Sequence, residues 1–468
     1  MGPDAPSAEI RELAYSSAAV TPGALFFCVR GFHADGHAFA PDAVARGAAA
    51  LVCERPLELG LPEVVVPDAR AAMGPAAARF YGDPTAELAV VGITGTNGKT
   101  TTAYLVRAIL EAAGRPAGLL GTVASVVGGR EEPVERTTPE AIDLQRLFRR
   151  MLDAGDRACV MEVSSHALSL GRAEGIAFVV RVFTNLTQDH LDFHPTMEDY
   201  YLAKRRLFDG AGPAIVNADD AYGRRLAAEI GASSVTYAID APAQVRAHDV
   251  SFGASGARFR CETPVGEVEI ATRLPGRFNV QNALAAAAAA LALGIEPRHV
   301  AEGLAAAGRV PGRFEPVDEG QGFAVLVDYA HTPDSLENVL HAARQITDGR
   351  LHVVFGAGGD RDRSKRPLMG AVARELADRV IVTSDNPRSE DPDAIVEEIL
   401  TGAGPGVDRE LDRRTAIRRA LEGAEPGDIV VVAGKGHEQG QEFAGGRKEP
   451  FDDVEVVRAL LRSAAAPR

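Results

Sequence analysis

Apolar runs of four to eight residues alternate along this chain with longer stretches in which apolar positions recur at helical spacing. LAVVGIT at residues 88–94 leads through a glycine-rich turn into KTTTAYLVRAILEAAG, and AGLLGTV, ACVMEVS and VVRVFTN follow as further strand-like runs. Strands that alternate with helices predict a mostly parallel sheet covered by helices. Residues 1–87 show the same alternation on a smaller scale, with ALFFCVRG, AALVCE and EVVVP as strands and FAPDAVARGA and ARAAMGPAAARFYG as helices. YGDPTAEL breaks that pattern with Gly and Pro and marks a boundary. AQVRAHDVSFGASGARFRCETPVGEVEI alternates with a period of two, which predicts hairpins, and FNVQNALAAAAAALALG predicts one long helix. From residue 312 onward AVLVDYA, LHVVFGA, RVIVTSD and DIVVVAGKG are separated by the helical patterns PDSLENVLHAARQI, KRPLMGAVARELA and DAIVEEIL. That is the pattern of a Rossmann-like, doubly wound sheet. The expected fold is α/β in three domains: a small N-terminal domain at 1–87, a central one at 88–311 and a C-terminal one at 312–468.

A length of 468 residues suits several domains, and 46% hydrophobic with 25% charged residues is ordinary globular composition. The formal net charge of −15 argues against general affinity for nucleic acid or an anionic membrane surface, since phosphate binding needs a dominant basic face. Cys28, Cys53, Cys159 and Cys261 lie far apart without paired metal spacing and predict reduced core residues. The first residues lack a charged-then-apolar signal pattern, and no apolar run reaches the length of a membrane span, so no membrane insertion and a cytoplasmic location are expected.

Three stretches carry recognisable chemistry. In GITGTNGKTTT, residues 92–102, a glycine turn lies between strand and helix. Backbone N–H groups of Gly95, Thr96, Asn97 and Gly98 then form an anion cradle, with Lys99 reaching terminal phosphates and Thr100 or Thr101 available to Mg²⁺. Ile93 stands where the usual pattern has its first glycine, but ATP with Mg²⁺ remains the expected ligand. Glu162 closes the strand-like ACVMEVS, where a carboxylate suits Mg²⁺ equally with water. VFTNLTQDHLDFHP brings His190 and His194 beside Asp189 and Asp192, where hard oxygen donors favour Mg²⁺ over zinc, although His190 by itself reads as a satisfied loop histidine. Lys204, on the helical pattern TMEDYYLAKRRLF, reads by itself as a solvated lysine. SDNPRSEDP, residues 384–392, follows a strand at the sheet edge where α/β folds bind ligands. Its Arg388 is a planar fork for a carboxylate or phosphate, or part of a solvated turn.

In their order along the chain, GTNGKTTT, TTPE, EVSSHAL, NLTQDHLDFH, the lysine of DYYLAKRRLF, GRFNVQNALAA, PGRFE, VDYAHTPDSL, GGDRDRSKRP, DNPRSEDP and GKGHE resemble the Mur ligases, specifically the MurE type. The resemblance covers nearly the whole chain. It implies an ATP-dependent carboxylate–amine ligase, an acid–D-amino-acid ligase or peptide synthase, in peptidoglycan precursor synthesis for cell-wall growth and division. Such enzymes bind the UDP end in the N-terminal domain, ATP in the central P-loop domain and the incoming amino acid in the C-terminal one, and they work through an acyl phosphate. The resemblance implies that Thr100, Glu162, His190 and Lys204 serve Mg²⁺, with Lys204 as a CO₂-derived carbamate, an anionic donor in place of a cation. It places Asn279 and Arg313 on the nucleotide, with Asp328 beside the ribose or at a hinge.

For UDP-N-acetylmuramoyl-L-alanyl-D-glutamate the matching positions are Ser17, Thr137, Thr138, Ser164 and Arg172. The loop that carries Phe32 and His33 departs from the family pattern. Members with the DNPR arginine generally take meso-diaminopimelate, and the resemblance implies that Asp385, Asn386, Pro387, Arg388 and Arg361 receive its distal carboxylate while Glu438 and the Gly434 carbonyl hold its distal ammonium. Lysine, lacking that carboxylate, would leave Arg388 unpaired. Alternatives from the sequence are the same ligase adding L-lysine, a folylpolyglutamate synthase or D-Ala-D-Ala-adding ligase, and a P-loop protein that hydrolyses ATP without an amino-acid substrate. A monomer is expected.

Overall fold

The apolar run after residue 88 forms the strand Ala89–Thr94, buried from Val90 onward. In the computed structural model, which describes residues 8–31, 34–253 and 256–465, the chain divides into two units, residues 1–92 with 115–179 and residues 93–114 with 180–468.

In the first unit the strands Glu12–Ala14, Ala24–Phe27, Ala48–Cys53 and Glu63–Val65 form a parallel sheet in that order. One face buries Ala14, Phe26, Cys28, Leu51 and Cys53. The other buries Leu13, Phe27 and Val52 against Met73 and Ala77 of the helix Ala69–Phe80 and Ile142 of the helix Ala141–Asp153. Alternate residues of one strand thus fill two cores, as the period of two requires. The strand Ala117–Leu120 pairs in parallel with Ala158–Glu162 and on its other side with a hairpin, Ser125–Val127 and Arg130–Glu132. The hairpin strands and Glu12–Ala14 span three residues each, too short to show a period in the sequence.

In the second unit the strands Phe178–Phe183, Ala214–Asn217 and Ser234–Ala238 run parallel up to Val245–Gly253, which continues as an antiparallel meander through Gly256–Thr263 and Gly266–Thr272. The expected hairpins are present. The helix Lys99–Ala112 packs on Arg277–Ala292 and Pro297–Ala306. Its close approach depends on small residues: Ala283 and Ala285 to Ala290 are fully buried, and a methyl group on Gly303 would overlap the Ile109 backbone.

The last sheet has the order Glu315–Pro316, Ala324–Asp328, Ile429–Ala433, Leu351–Phe355, Arg379–Val382, Asp408–Arg409, parallel except at the first pair. Because its inner strands run parallel, the loops after Asp328, Phe355, Val382 and Ala433 leave from one edge, the ligand edge of such sheets. A closing helix, Asp453–Ala465, is anchored where Asp453 accepts two hydrogen bonds from the buried Arg413 (2.8 and 2.6 Å), which also donates to the Ala433 carbonyl. All four cysteines are buried and outside any disulfide. Among the described residues no helix is long and apolar enough to cross a membrane.

Gly303→Ala is expected to lower stability by about 1–3 kcal/mol through overpacking between the helices Lys99–Ala112 and Pro297–Ala306. Urea unfolding measures this, and an unchanged midpoint would mean that the two helices separate without cost.

Candidate active site

In the second unit the glycine turn is clamped from outside. The Asn97 carbonyl accepts from Thr184 Oγ1 at 2.6 Å and from Asn185 Nδ2 at 3.2 Å, and Asn185 takes the Asn97 N–H in return. Asn97 Nδ2 donates to Asp334 at 2.6 Å. Gly95 has φ +149°, and a methyl group there would overlap the Thr184 hydroxyl; Gly98 has φ +85°, and a methyl group there would crowd the Asn282 side-chain oxygen, though less severely. The two glycines are therefore required by backbone conformation and by space.

Two lysines converge on this turn. Lys99 Nζ donates to the carbonyls of Gly95 (3.0 Å) and Thr96 (2.8 Å), and Lys204 Nζ donates to the same Gly95 carbonyl at 2.7 Å. Lys204 is 1% exposed, its amine 4.5 Å from the centre of the Tyr200 ring. The single-residue reading of a solvated lysine is thereby corrected, because its helix turns it inward beneath the glycine turn. Burial, reinforced by Lys99, pulls its pKa well below the ordinary lysine value against the pull of Asp189. This amine is held toward its neutral form.

His190 sits in the left-handed region, φ +56°, 3.4 Å from Asp189 and edge-on to Tyr200. Burial opposes ionisation of Asp189, but Lys365, His190 and His331 together hold its pKa well below the usual carboxylate range. Lys365 Nζ is 3.5 Å from Asp189 and His331 Nε2 is 3.8 Å away. The motifs signalled His190; Lys365, which opens the helix Lys365–Leu376, and His331 are distant in sequence and carry no local signal for this cluster.

Thr100 Oγ1 accepts from Arg313 at 3.3 Å, and that guanidinium lies 4.4 Å over the Tyr329 ring. Thr101 is buried beside it on the same helix. Asp328 accepts from the backbone of Phe314 (2.6 Å) and Ala330 (2.7 Å), so it pins the chain at residues 312–330; burial raises its pKa against these bonds and Arg313. Asn279 donates to the Pro275 carbonyl at 2.8 Å and accepts from Asn282 at 3.2 Å, the residue that faces Gly98.

In the first unit Thr138 Oγ1 donates to the Glu162 carbonyl at 2.9 Å and accepts from the Ser164 N–H at 3.1 Å, while Arg172 donates to the Thr138 carbonyl at 3.2 Å. The Glu162 carboxylate takes both the backbone N–H (2.8 Å) and the hydroxyl (3.1 Å) of Thr122, whose hydroxyl also meets that of Thr137 at 3.0 Å. Glu140, 5% exposed, gathers Arg70, Arg136 and Arg172 at 3.0, 2.8 and 3.0 Å. A cavity of about 340 Å³ lies alongside, lined by Tyr15, Thr137, Arg136, Glu140 and Arg146 among others. Thr137, Thr138, Ser164 and Arg172 are thus brought together. Ser17 instead hydrogen-bonds Asp42. Phe32 and His33 lie outside the described residues.

At the edge of the last sheet, Arg388 adopts φ +50°. Its Nε donates to Glu442 at 3.0 Å and its Nη1 to the Gly359 carbonyl at 2.8 Å. The expectation that lysine would leave Arg388 unpaired is therefore corrected: the antiparallel pair Gly440–Glu442 and Lys448–Pro450 brings the Glu442 carboxylate to it. Glu438 is engaged as well, by the wholly buried Lys435 (3.0 Å) and by Asn386 (2.8 Å). Asp385 accepts from Gln441 through its backbone carbonyl at 2.8 Å, and its carboxylate lies close enough to Gly434, φ +114°, to exclude any side chain there. The Pro387 carbonyl closely faces Gly359. Arg361 is exposed and donates to the Asp360 carbonyl at 2.9 Å, apart from Arg388 and Asn386 in hydrogen bonding. Lys435, Glu442 and Arg413 escaped the sequence reading, although Lys435 lies inside the GKGHE motif.

Among the described residues no group of three or more His, Cys, Asp or Glu side chains is gathered as a metal cage. The candidate donors to Mg²⁺ in the second unit, Thr100, His190 and Lys204, are a hydroxyl, an imidazole and a buried amine, and an anionic Lys204 would add the hard oxygen donor that suits this ion.

Comparison with known proteins places these features in context. Residues 9–81 match the Mur ligase family catalytic domain, residues 93–290 the Mur ligase middle domain and residues 312–436 the Mur ligase glutamate ligase domain. The chain is 49% identical to the UDP-N-acetylmuramoyl-L-alanyl-D-glutamate--2,6-diaminopimelate ligase of Geobacillus thermodenitrificans over 97% of this chain and 95% of that protein. It is also 48% identical to the ligase of the same name from Streptomyces coelicolor, over 97% and 93%. A solved structure of a UDP-N-acetylmuramoyl-L-alanyl-D-glutamate--2,6-diaminopimelate ligase superposes with a TM-score of 0.70 at 34% identity, covering 98% of this chain and 96% of that one.

Glu140→Ala is expected to destabilise the protein by about 3 kcal/mol, because it leaves three guanidiniums crowded without their shared anion. Denaturant unfolding tests this; a change under about 1 kcal/mol would show that the three arginines do not depend on Glu140.

Proposed function

This chain belongs to the Mur ligase family, and from that premise we propose that it joins meso-diaminopimelate to the D-glutamyl γ-carboxylate of UDP-N-acetylmuramoyl-L-alanyl-D-glutamate at the expense of ATP. The observation that carries this reading is identity of 49% over nearly all of both chains with a ligase of that name. The motif-bearing loops gathered in each unit support it. We assign residues 1–87 to the UDP end of the substrate, 88–311 to ATP and 312–468 to the amino acid, in a cytoplasmic monomer; the three family matches, each inside one of these segments, support the division.

The reaction must make a poor electrophile reactive. The γ-carboxylate attacks the γ-phosphorus of ATP, ADP leaves, and the resulting acyl phosphate is attacked by the amine with loss of inorganic phosphate. Both partners of the first step are anionic, so positive charge and backbone N–H groups at the glycine turn are what the step needs most. Lys99, folded onto the Gly95 and Thr96 carbonyls, has only to swing outward to meet the terminal phosphate. Arg313, stacked on Tyr329, and Asn279 are proposed for the nucleotide. Asp328, with both oxygens on backbone N–H groups, fits the hinge role better than a ribose contact.

Mg²⁺ would neutralise phosphate charge when bound, and Thr100, His190 and Lys204 are the residues of the second unit that would hold it. Lys204 suits the part only as a carbamate. A neutral amine is the form that adds CO₂, and burial holds Lys204 in that direction. Glu162 is proposed as a metal ligand from its motif; its oxygens are otherwise satisfied by Thr122. Ser17, Thr137, Thr138, Ser164 and Arg172 are proposed to bind the sugar-peptide part of the UDP substrate.

For the amino acid, Arg388, Asn386 and Glu438 present a cation, an amide and an anion on one sheet edge. Those groups match the carboxylate and ammonium at the far end of meso-diaminopimelate. Since Glu442 already partners Arg388, lysine in this site meets a smaller penalty than an unpaired guanidinium would impose.

Phosphate release from ATP with the UDP-dipeptide substrate is expected to depend on an added amine and to favour meso-diaminopimelate over L-lysine. Arg388→Ala should raise KM for meso-diaminopimelate roughly tenfold or more and narrow that preference. Equal rates with both amines would overturn the assignment of the amino acid, and no release with either would overturn the ligase. Lys204→Ala should reduce kcat by roughly 10²-fold, partly restored by acetate as a stand-in for the carbamate; full activity without acetate would remove Lys204 from the metal site.

A further inference from the structure

The segment Gly440–Glu442 holds the amino-acid loop at both ends. Gln441 donates to the Asp385 carbonyl at 2.8 Å, the Glu442 N–H donates to Asn386 Oδ1 at 3.0 Å, and the Arg388 N–H donates to the Glu442 carbonyl at 3.0 Å. To these backbone ties the Glu442 side chain adds one bond, from Arg388 Nε at 3.0 Å. The Gly359 carbonyl takes Nη1 from another direction, and a methyl group on Gly358 would come within 3.0 Å of that nitrogen. The guanidinium is therefore fixed at Nε and Nη1, while Nη2 has no hydrogen bond among the described residues.

The Glu442 carboxylate does two separable things. It orients Arg388 by accepting from Nε, and it places a negative charge beside the guanidinium, whose Nη2 and second Nη1 hydrogen are left for a substrate carboxylate. The loop's backbone does not need that charge, because the other ties run through main-chain atoms of residue 442 and through Gln441. A neutral acceptor of the same shape would orient Arg388 as well and would not repel the ligand. The side chain of Glu442 is 43% exposed, so its repulsion is moderate and responds to salt.

We propose that Glu442 is a specificity-determining residue: by pairing with Arg388 it weakens the grip on a distal carboxylate and keeps the arginine satisfied when an amino acid lacks one, which narrows discrimination between meso-diaminopimelate and L-lysine. This inference rests on the reading of the amino-acid site given above. Glu442 acts through Arg388 and is a positioning residue that also sets charge. The sequence signals neither function, since Glu442 lies four positions beyond the GKGHE motif in a stretch of mixed composition.

The test compares wild type with Glu442→Gln and Glu442→Leu by phosphate release, with meso-diaminopimelate and L-lysine each titrated at saturating ATP and UDP-dipeptide. Glu442→Gln keeps the acceptor and removes the charge. It should lower KM for meso-diaminopimelate roughly two- to fivefold, leave kcat and KM for ATP unchanged, and raise KM for L-lysine, with the gain shrinking at high salt. Glu442→Leu removes the acceptor as well and should raise KM for meso-diaminopimelate. Equal amine KM values in wild type and Glu442→Gln, or kcat and the ATP KM moving in the same proportion as the amine KM, would overturn the proposal while leaving the ligase reading intact. A wild-type protein that releases no phosphate with either amine would overturn both.

Discussion

One backbone carbonyl, that of Gly95, receives two lysine side chains, Lys99 and Lys204. Two lysine side chains on one neutral acceptor is an arrangement under tension at Lys204, because burial penalises its charge and Lys99 adds to the penalty. The chain answers it locally by depressing the pKa of Lys204. A phosphate group or a carbamate would relieve the same tension by supplying negative charge. Much of the surrounding geometry serves to keep this turn in place: the clamp from Thr184 and Asn185, the bond from Asn97 to Asp334, and the small-residue helix contact at Gly303 that fixes the helix starting at Lys99.

The last sheet is organised by a different constraint. Parallel strands bring their carboxyl ends to one side, so four loops far apart in sequence share one edge. Charge is buried in and around those loops, and the fully buried cations there are partnered: Arg413 on Asp453, Arg366 on Glu390 and Glu398, Lys435 on Glu438. An isolated buried charge is costly, so the loops around a charged substrate must be charge-paired before it arrives. The pair of Arg388 with Glu442 belongs to this pattern, but it is partly exposed and its cation faces a ligand. The same logic governs Glu140 in the first unit, where one carboxylate serves three arginines. A net charge of −15 says nothing of either cluster. What matters is where each sign is placed.

The sequence by itself determined the order and type of the long elements, because apolar periodicity is a local property of the chain: the strand, glycine turn and helix at residues 89–112, the alanine helix at 277–292 and the alternation after residue 312 were all legible. It also determined which short motifs could carry phosphate, metal and amino-acid chemistry, since Gly95, Gly98, Lys99 and Arg388 are each required by local backbone or functional-group chemistry. Three-residue strands were not legible for lack of a period, and neither was the anchor of the closing helix, because Arg413 is 40 positions away from Asp453. Only the tertiary structure decided that Lys204 is buried, that Asp189 answers to Lys365 and His331, and that Arg388 already has an anion in Glu442. Burial and ion pairing are properties of space, set by which elements pack together, and residues tens or hundreds of positions apart leave no local trace of them in the chain.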